Sequence, residues 1–150
     1  MFKKFFSAVC GLMLSFFLSG LAQSRVFIED AYIRAIIPGQ SVTAAYLTLK
    51  NESLASCRFV SVSADIAERA EFHSHVHADG VVRMRELKEI VIAQGEALEF
   101  RPGGLHLMLF IENAEVNEKS RSVITLHSPD CGDVTHAVPI SRKAGKPSIK

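Results

Sequence analysis

Between Arg25 and Ile140, turn residues interrupt the chain about every ten positions, and the runs between them are short, β-branched and aromatic, without helical periodicity. Pro38-Gly39, Asn51-Glu52-Ser53, Asp79-Gly80, Gln94-Gly95, Pro102-Gly103-Gly104 and Pro129 to Asp133 supply the punctuation. The spacing predicts strands at Val26 to Arg34, Val42 to Lys50, Arg58 to Ser63, Glu71 to His77, Val81 to Leu87, Ala97 to Arg101, Leu105 to Ile111, Ser122 to His127 and Val134 to Ile140. Strands at this interval make an all-β sandwich or Greek-key barrel. A helical turn around Ser63 to Arg69 is compatible with the sequence, which does not decide it.

The first 24 residues have a different character. Lys3 and Lys4 precede an apolar stretch from Phe5 to Leu21, and Ala22-Gln23-Ser24 offers small groups for a signal peptidase. We expect export to the periplasm with cleavage near Ser24 and no membrane span afterwards, because 17 residues broken by Ser and Gly are short for a bilayer. Cys10 stands too early in the stretch to make a convincing lipid-attachment site. About 126 residues remain, enough for one domain over 25–140 and a flexible basic tail over 141–150. That remainder carries 15 Lys and Arg against 16 Asp and Glu, so no basic excess points to nucleic acid.

Cys10 leaves with the signal, and Cys57 and Cys131 are left in a compartment where thiols oxidise. A disulfide is the expected outcome. Closing a loop of 73 intervening residues, it would stabilise the fold by about 4 to 5 kcal/mol on the loop-entropy model.

Two methionines remain beyond the signal, Met84 and Met108, and both stand near histidines. A two-residue turn at Asp79-Gly80 would pair Ala78 with Val81, and therefore His75 with Met84. His73, His75, His77 and Met84 then share one face, with His73 diagonal to Met84. A three-residue turn would reverse that parity. In the strand from Leu105 to Ile111, Leu105, Leu107 and Leu109 take one face, which leaves His106 and Met108 together on the other. Taken singly, Met84 reads as core filler and His75 and His77 as a solvated face. The joint pattern reverses that balance for His73, Met84, His106 and Met108.

Thioether sulfur is soft and uncharged and imidazole is borderline, a combination suited to Cu(I) with three or four ligands. Zinc would favour thiolate or carboxylate. Thioethers also persist in an oxidising compartment, so only the histidines compete with protons, and Cu(I) affinity is expected to fall below a pH of about 6.5.

His73, Met84, His106 and Met108 reproduce the His-x10-Met-x21-His-x-Met pattern of the periplasmic PCu(A)C copper chaperones. The chain also resembles that family in Ala44-Ala45-Tyr46-Leu47-Thr48-Leu49 with Asn51, in Asp79-Gly80-Val81-Val82-Arg83-Met84-Arg85, in Arg101-Pro102-Gly103-Gly104 before His106, and in Val138-Pro139-Ile140. The resemblance spans most of residues 26 to 140. It implies a cupredoxin-like β-sandwich that binds one Cu(I) through those four residues and passes it to a copper acceptor, such as the CuA subunit of cytochrome c oxidase or its assembly factors. Where many members carry Met, this chain has His75, His77 and Val82. His75 and His77 could form an auxiliary site, with Cu(II) as the ion that imidazoles favour. The Lys-rich tail lacks the Met and His of some relatives.

His127, His136, Tyr32 and Tyr46 read as structural. A blue-copper electron carrier would share the sandwich but needs a Cys beside the histidines. A metal-free adhesion or scaffold sandwich is the other alternative. An enzyme fits least, for want of a nucleophile motif, an acidic pair at informative spacing or a nucleotide-binding glycine loop.

Overall fold

The computed structural model describes residues 25–37, 39–78, 80–111 and 121–142. The expected signal at 1–24 and most of the expected tail, 143–150, lie outside the described residues, as do Pro38 and Asp79 of two expected turns. Among the described residues every regular element is a strand: β1 (Val26–Arg34), β2 (Val42–Asn51), β3 (Cys57–Phe59), β4 (Ser61–Ala64), β5 (Arg69–Ala78), β6 (Val81–Leu87), β7 (Ile90–Ile92), β8 (Ala97–Phe100), β9 (His106–Phe110), β10 (Arg121–His127) and β11 (Val134–Ser141). Among them no helix is long and apolar enough to cross a membrane.

Seven strands run β1-β11-β10-β4-β5-β9-β2, and β2 pairs back onto β1, so the sheet closes on itself. Closure satisfies backbone groups that an open edge would leave unpaired. The remaining strands extend this cupredoxin-like Greek-key barrel. β2 gives its first half to β9 (Val42↔Phe110 to Ala45↔Leu107) and its second half to β8 (Leu47↔Phe100 to Lys50↔Ala97). β6 adds to β5, and β3 with β7 forms a separate two-stranded sheet.

Alternation along each strand builds the core. Leu47 and Leu49 of β2, Leu107 and Leu109 of β9, Ile124 and Leu126 of β10, and Val138 of β11 all point inward and are essentially inaccessible to water. β1 changes phase midway. Its pairing with β2 slips by one residue between Glu29 and Tyr32, and Asp30 there has φ of 50°. This β-bulge lets Val26 and Ile28 face the core before it and Ile33 after it, so Tyr32 and Arg34 turn to the outer face.

The expected strand from Arg58 to Ser63 is broken at Val60, whose N–H donates to the carbonyl of His127. The break lets β3 pair with β7 while β4 joins β10. Ile90 to Ile92 is too short a run to be read as a strand from sequence, and its pairing with β3 makes it one. No helix forms between Ser63 and Arg69, where Ala67 N–H to Ala64 C=O closes a turn between β4 and β5.

Two cross-links fasten the small sheet to the barrel. Cys57 and Cys131 form the expected disulfide, with Cα atoms 5.7 Å apart. Asn51, expected only as a turn residue, is fully buried. Its Nδ2 donates to the carbonyls of Ala55, Ile92 and Ala93, and its Oδ1 accepts from the backbone N–H and hydroxyl of Ser53. Alanine at position 51 would leave those groups buried without partners. Asn51→Ala should therefore lower unfolding stability by about 2 to 3 kcal/mol in denaturant titration, whereas Val91→Ala, at an exposed position of β7, should cost about 0.5 kcal/mol or less.

Candidate functional site

The outer face of β2, β5, β6 and β9 carries the polar and soft side chains that the core refuses. Phe72 faces inward on β5, so Glu71, His73, His75 and His77 face outward; Leu107 and Leu109 do the same for His106, Met108 and Phe110 on β9. Register then decides which of these meet. His73 stands opposite His106 and Glu71 opposite Met108. Across the hairpin, Ala78 pairs with Val81, which sets His75 directly against Met84 and His73 against Glu86. The expected two-residue connection is thus realised, with Gly80 at φ of 74°, a value that favours glycine.

Beside the end of β9 lies an open pocket of about 340 Å³, with His75, Met84, His106 and Met108 in its wall. Pro102 and Gly103 form its rim, and Arg34 and Tyr46 contribute from β1 and β2. The imidazoles are close together: the His75 and His106 rings stack with centroids 5.1 Å apart, and His73 lies 6.0 Å from His106. Met84 is 45% exposed and His106 only 4%, so the pocket has a thioether at its mouth and an imidazole at its floor. The exposure of Met84 rules out core packing for that residue.

Hydrogen bonds fix two of the rings. Nδ1 of His106 donates to the carbonyl of Gly104 at 2.9 Å, which makes Nδ1 the protonated nitrogen and leaves Nε2 its lone pair. His73 gives Nε2–H to the Glu71 carboxylate at 2.8 Å. Glu71 is itself paired with Arg69, whose guanidinium lies 3.7 Å from the centre of the Phe110 ring. Nδ1 of His73 and Nδ1 of His75 are shut from water and have no hydrogen-bond partner. Buried polar atoms are seldom left so, and a ligand that accepts nitrogen lone pairs would complete them.

Burial is the largest influence on the His73 and His106 imidazoles. It pushes the His73 pKa below the ordinary value, against the nearby charge of Glu86 and with that of Arg69. It also depresses His106, opposed by the Gly104 hydrogen bond and reinforced by His75, His73 and Arg34. Both rings therefore remain neutral, with a lone pair available, to more acidic pH than a free imidazole.

Among the described residues no three His, Cys, Asp or Glu side chains are gathered to hold a metal ion. Met84 and Met108 are the two thioethers in the pocket wall. His77 is exposed toward the hairpin end, opposite Val82, and is separated from the cluster that His75 joins. His127 sits between Ser63 and Asp133, a structural role as expected, and His136 faces Ile124 across β10 and β11. Tyr32 and Tyr46 are buried with ring centroids 5.1 Å apart, and Tyr46 lies 6.5 Å from His106, so this pair backs the site. Glu71, Arg34 and Tyr46 were not legible as site residues: Arg34 depends on the β1 bulge, and the other two on register. With Cys57 and Cys131 joined, neither supplies the thiolate of a blue-copper centre.

A closed cupredoxin-like barrel with a His and Met pocket at one end has the fold of the PCuAC domains. The structure described as the copper-bound PCuAC domain from PmoF2 superposes with a TM-score of 0.64 at 19% identity, over 79% of this chain and 93% of that one. The solution structure described as CuI-DR1885 from Deinococcus radiodurans gives 0.63 at 23% identity, over 85% and 84%. The chain belongs to the LpqE-like family, whose model, described as "Putative lipoprotein LpqE-like", matches residues 26–140. It is 28% identical over 127 residues to "Putative lipoprotein Lxx21020" of Leifsonia xyli subsp. xyli, covering 84% of this chain and 75% of that protein. It is also 29% identical over 113 residues to "Uncharacterized protein RP573" of Rickettsia prowazekii, covering 73% of this chain and 62% of that protein.

An NMR titration of the metal-free protein should give His73 and His106 midpoints below the ordinary imidazole value of about 6.5. Midpoints at or above that value would contradict the buried geometry.

Proposed function

We propose that this chain is an exported copper metallochaperone that binds Cu(I) through His73, Met84, His106 and Met108 and hands it to a copper acceptor protein in the periplasm. The observation that carries the reading is the convergence of both methionines and the fixed lone pair of His106 on one open pocket. Two thioethers with imidazole are a soft, neutral donor set, which retains Cu(I) without the charge that would attract harder ions. The copper-bound state named for the PmoF2 domain and for DR1885 supports the same cargo.

Transfer follows from the same features. Met84 at the mouth is reachable from solvent, so an incoming cysteine can displace it before the deeper ligands let go. A thiolate binds Cu(I) more tightly than a thioether, and exchange toward a Cys-containing acceptor runs downhill. The CuA centre of cytochrome c oxidase is the acceptor that the family resemblance suggests. In this reading the chain holds and releases cargo.

Anaerobic Cu(I) loading followed by native mass spectrometry should find one copper on the wild-type protein and none on a Met84→Ala, Met108→Ala double variant. Copper retained by the double variant would sink the thioether site. In cells, deletion of the gene should lower CuA occupancy under copper limitation, with recovery on copper supplementation; unchanged oxidase assembly would remove that acceptor from the reading while leaving the site intact.

A further inference from the structure

The four-residue set leaves one imidazole of the cluster without a task. His75 faces Met84 directly across the hairpin, stacks on His106 at 5.1 Å and forms part of the pocket wall. His73 is farther from His106, at 6.0 Å, has Nε2 engaged by Glu71, and does not line the pocket. Packing does not account for His75. It is half-buried, its Nδ1 has neither water nor a hydrogen-bond partner, and such an atom is costly unless something completes it.

We infer that His75, in the pocket wall, is a fifth copper donor, alternating with His73 as the imidazole that completes the set of His106, Met84 and Met108. The inference rests on the copper reading and names a further ligand within it. Cu(I) takes three or four donors, so His73, His75, His106, Met84 and Met108 cannot all bind at once. His73 and His75 are two positions apart on one strand, a separation of about 6.5 Å along β5, and both face outward beside His106. An ion can therefore change from one to the other by a small displacement, while His106 and the thioethers hold it. His75 is the donor nearer the mouth, level with exposed Met84, so this exchange moves the ion toward the side from which an acceptor approaches. His77, two positions farther along, is exposed, does not line the pocket and falls outside the set.

The test is a double-variant cycle read by competition against a chromophoric Cu(I) chelator. Wild type, His73→Ala, His75→Ala and the double variant are compared, with His77→Ala as control and circular dichroism to establish that each is folded. Each single variant should still bind one Cu(I) with reduced affinity. The double variant should be weaker than the product of the two single losses by roughly tenfold or more, as expected when one group substitutes for the other. His77→Ala should match wild type.

A second readout does not depend on affinity. Ring ¹⁵N resonances of His75 should shift when Cu(I) is added to the wild-type protein, and shift further in His73→Ala. If His75→Ala binds as wild type does and the His75 resonances stay still while those of His73 move, the inference is overturned and the copper reading survives. If wild type takes up no Cu(I), both fall together.

Discussion

The pairing of β5 with β9 is the constraint on which the rest of this molecule turns. His73 opposite His106 on the outer face requires Phe72 opposite Leu107 on the inner face, because side chains alternate with a period of two. A slip of one residue would drive imidazoles into the apolar interior and expose two of its largest side chains. The hydrophobic core therefore enforces the geometry of the site, and no separate interaction is needed to select the register. The pairing of β5 with β6 carries the same register one strand farther and delivers Met84 to His75.

Burial is distributed unevenly across the pocket, and that unevenness is chemically useful. His106 is dry, held by the Gly104 carbonyl and harder to protonate than a free imidazole; Met84 is exposed. On the proposed copper reading, a dry floor would strengthen interactions with a bound ion by excluding water, and a wet rim would let one donor be replaced at a time. The Arg69, Glu71 and His73 chain adds a polar brace along the outer face, anchored where Arg69 lies over Phe110. On the opposite side Tyr32 and Tyr46 back the cluster, an arrangement that the β1 bulge makes possible by turning Tyr32 outward.

Much of this was legible before any coordinates. Turn chemistry placed most strand boundaries within a few residues, since Gly, Pro, Asn and Asp act locally. Alternating leucines assigned the core face of β9, and with it the outward direction of His106 and Met108. The split at Val60 was not legible, because it reflects competition between two partner strands rather than any breaker in the sequence. Nor was the phase change in β1, where Asp30 adopts a positive φ that few sequences advertise. His75 and His77 looked equivalent by spacing; their difference lies in how far each stands from the end of β9.

Alternation, turns, soft side-chain types and their intervals follow from the linear order of residues, because they depend on the chain's own period and on chemistry that each residue carries alone. That order also placed both cysteines where one bridge could join them. Which of these side chains meet is a matter of the folded arrangement. Closure of the barrel, the bulge in β1 and the pairing of β5 with both β6 and β9 bring side chains more than thirty positions apart to one pocket, and such meetings are set by long-range packing rather than by local preference. The same long-range packing turned Asn51 from a surface turn residue into a buried hub and held His73 on Glu71 while leaving His75 at the pocket wall.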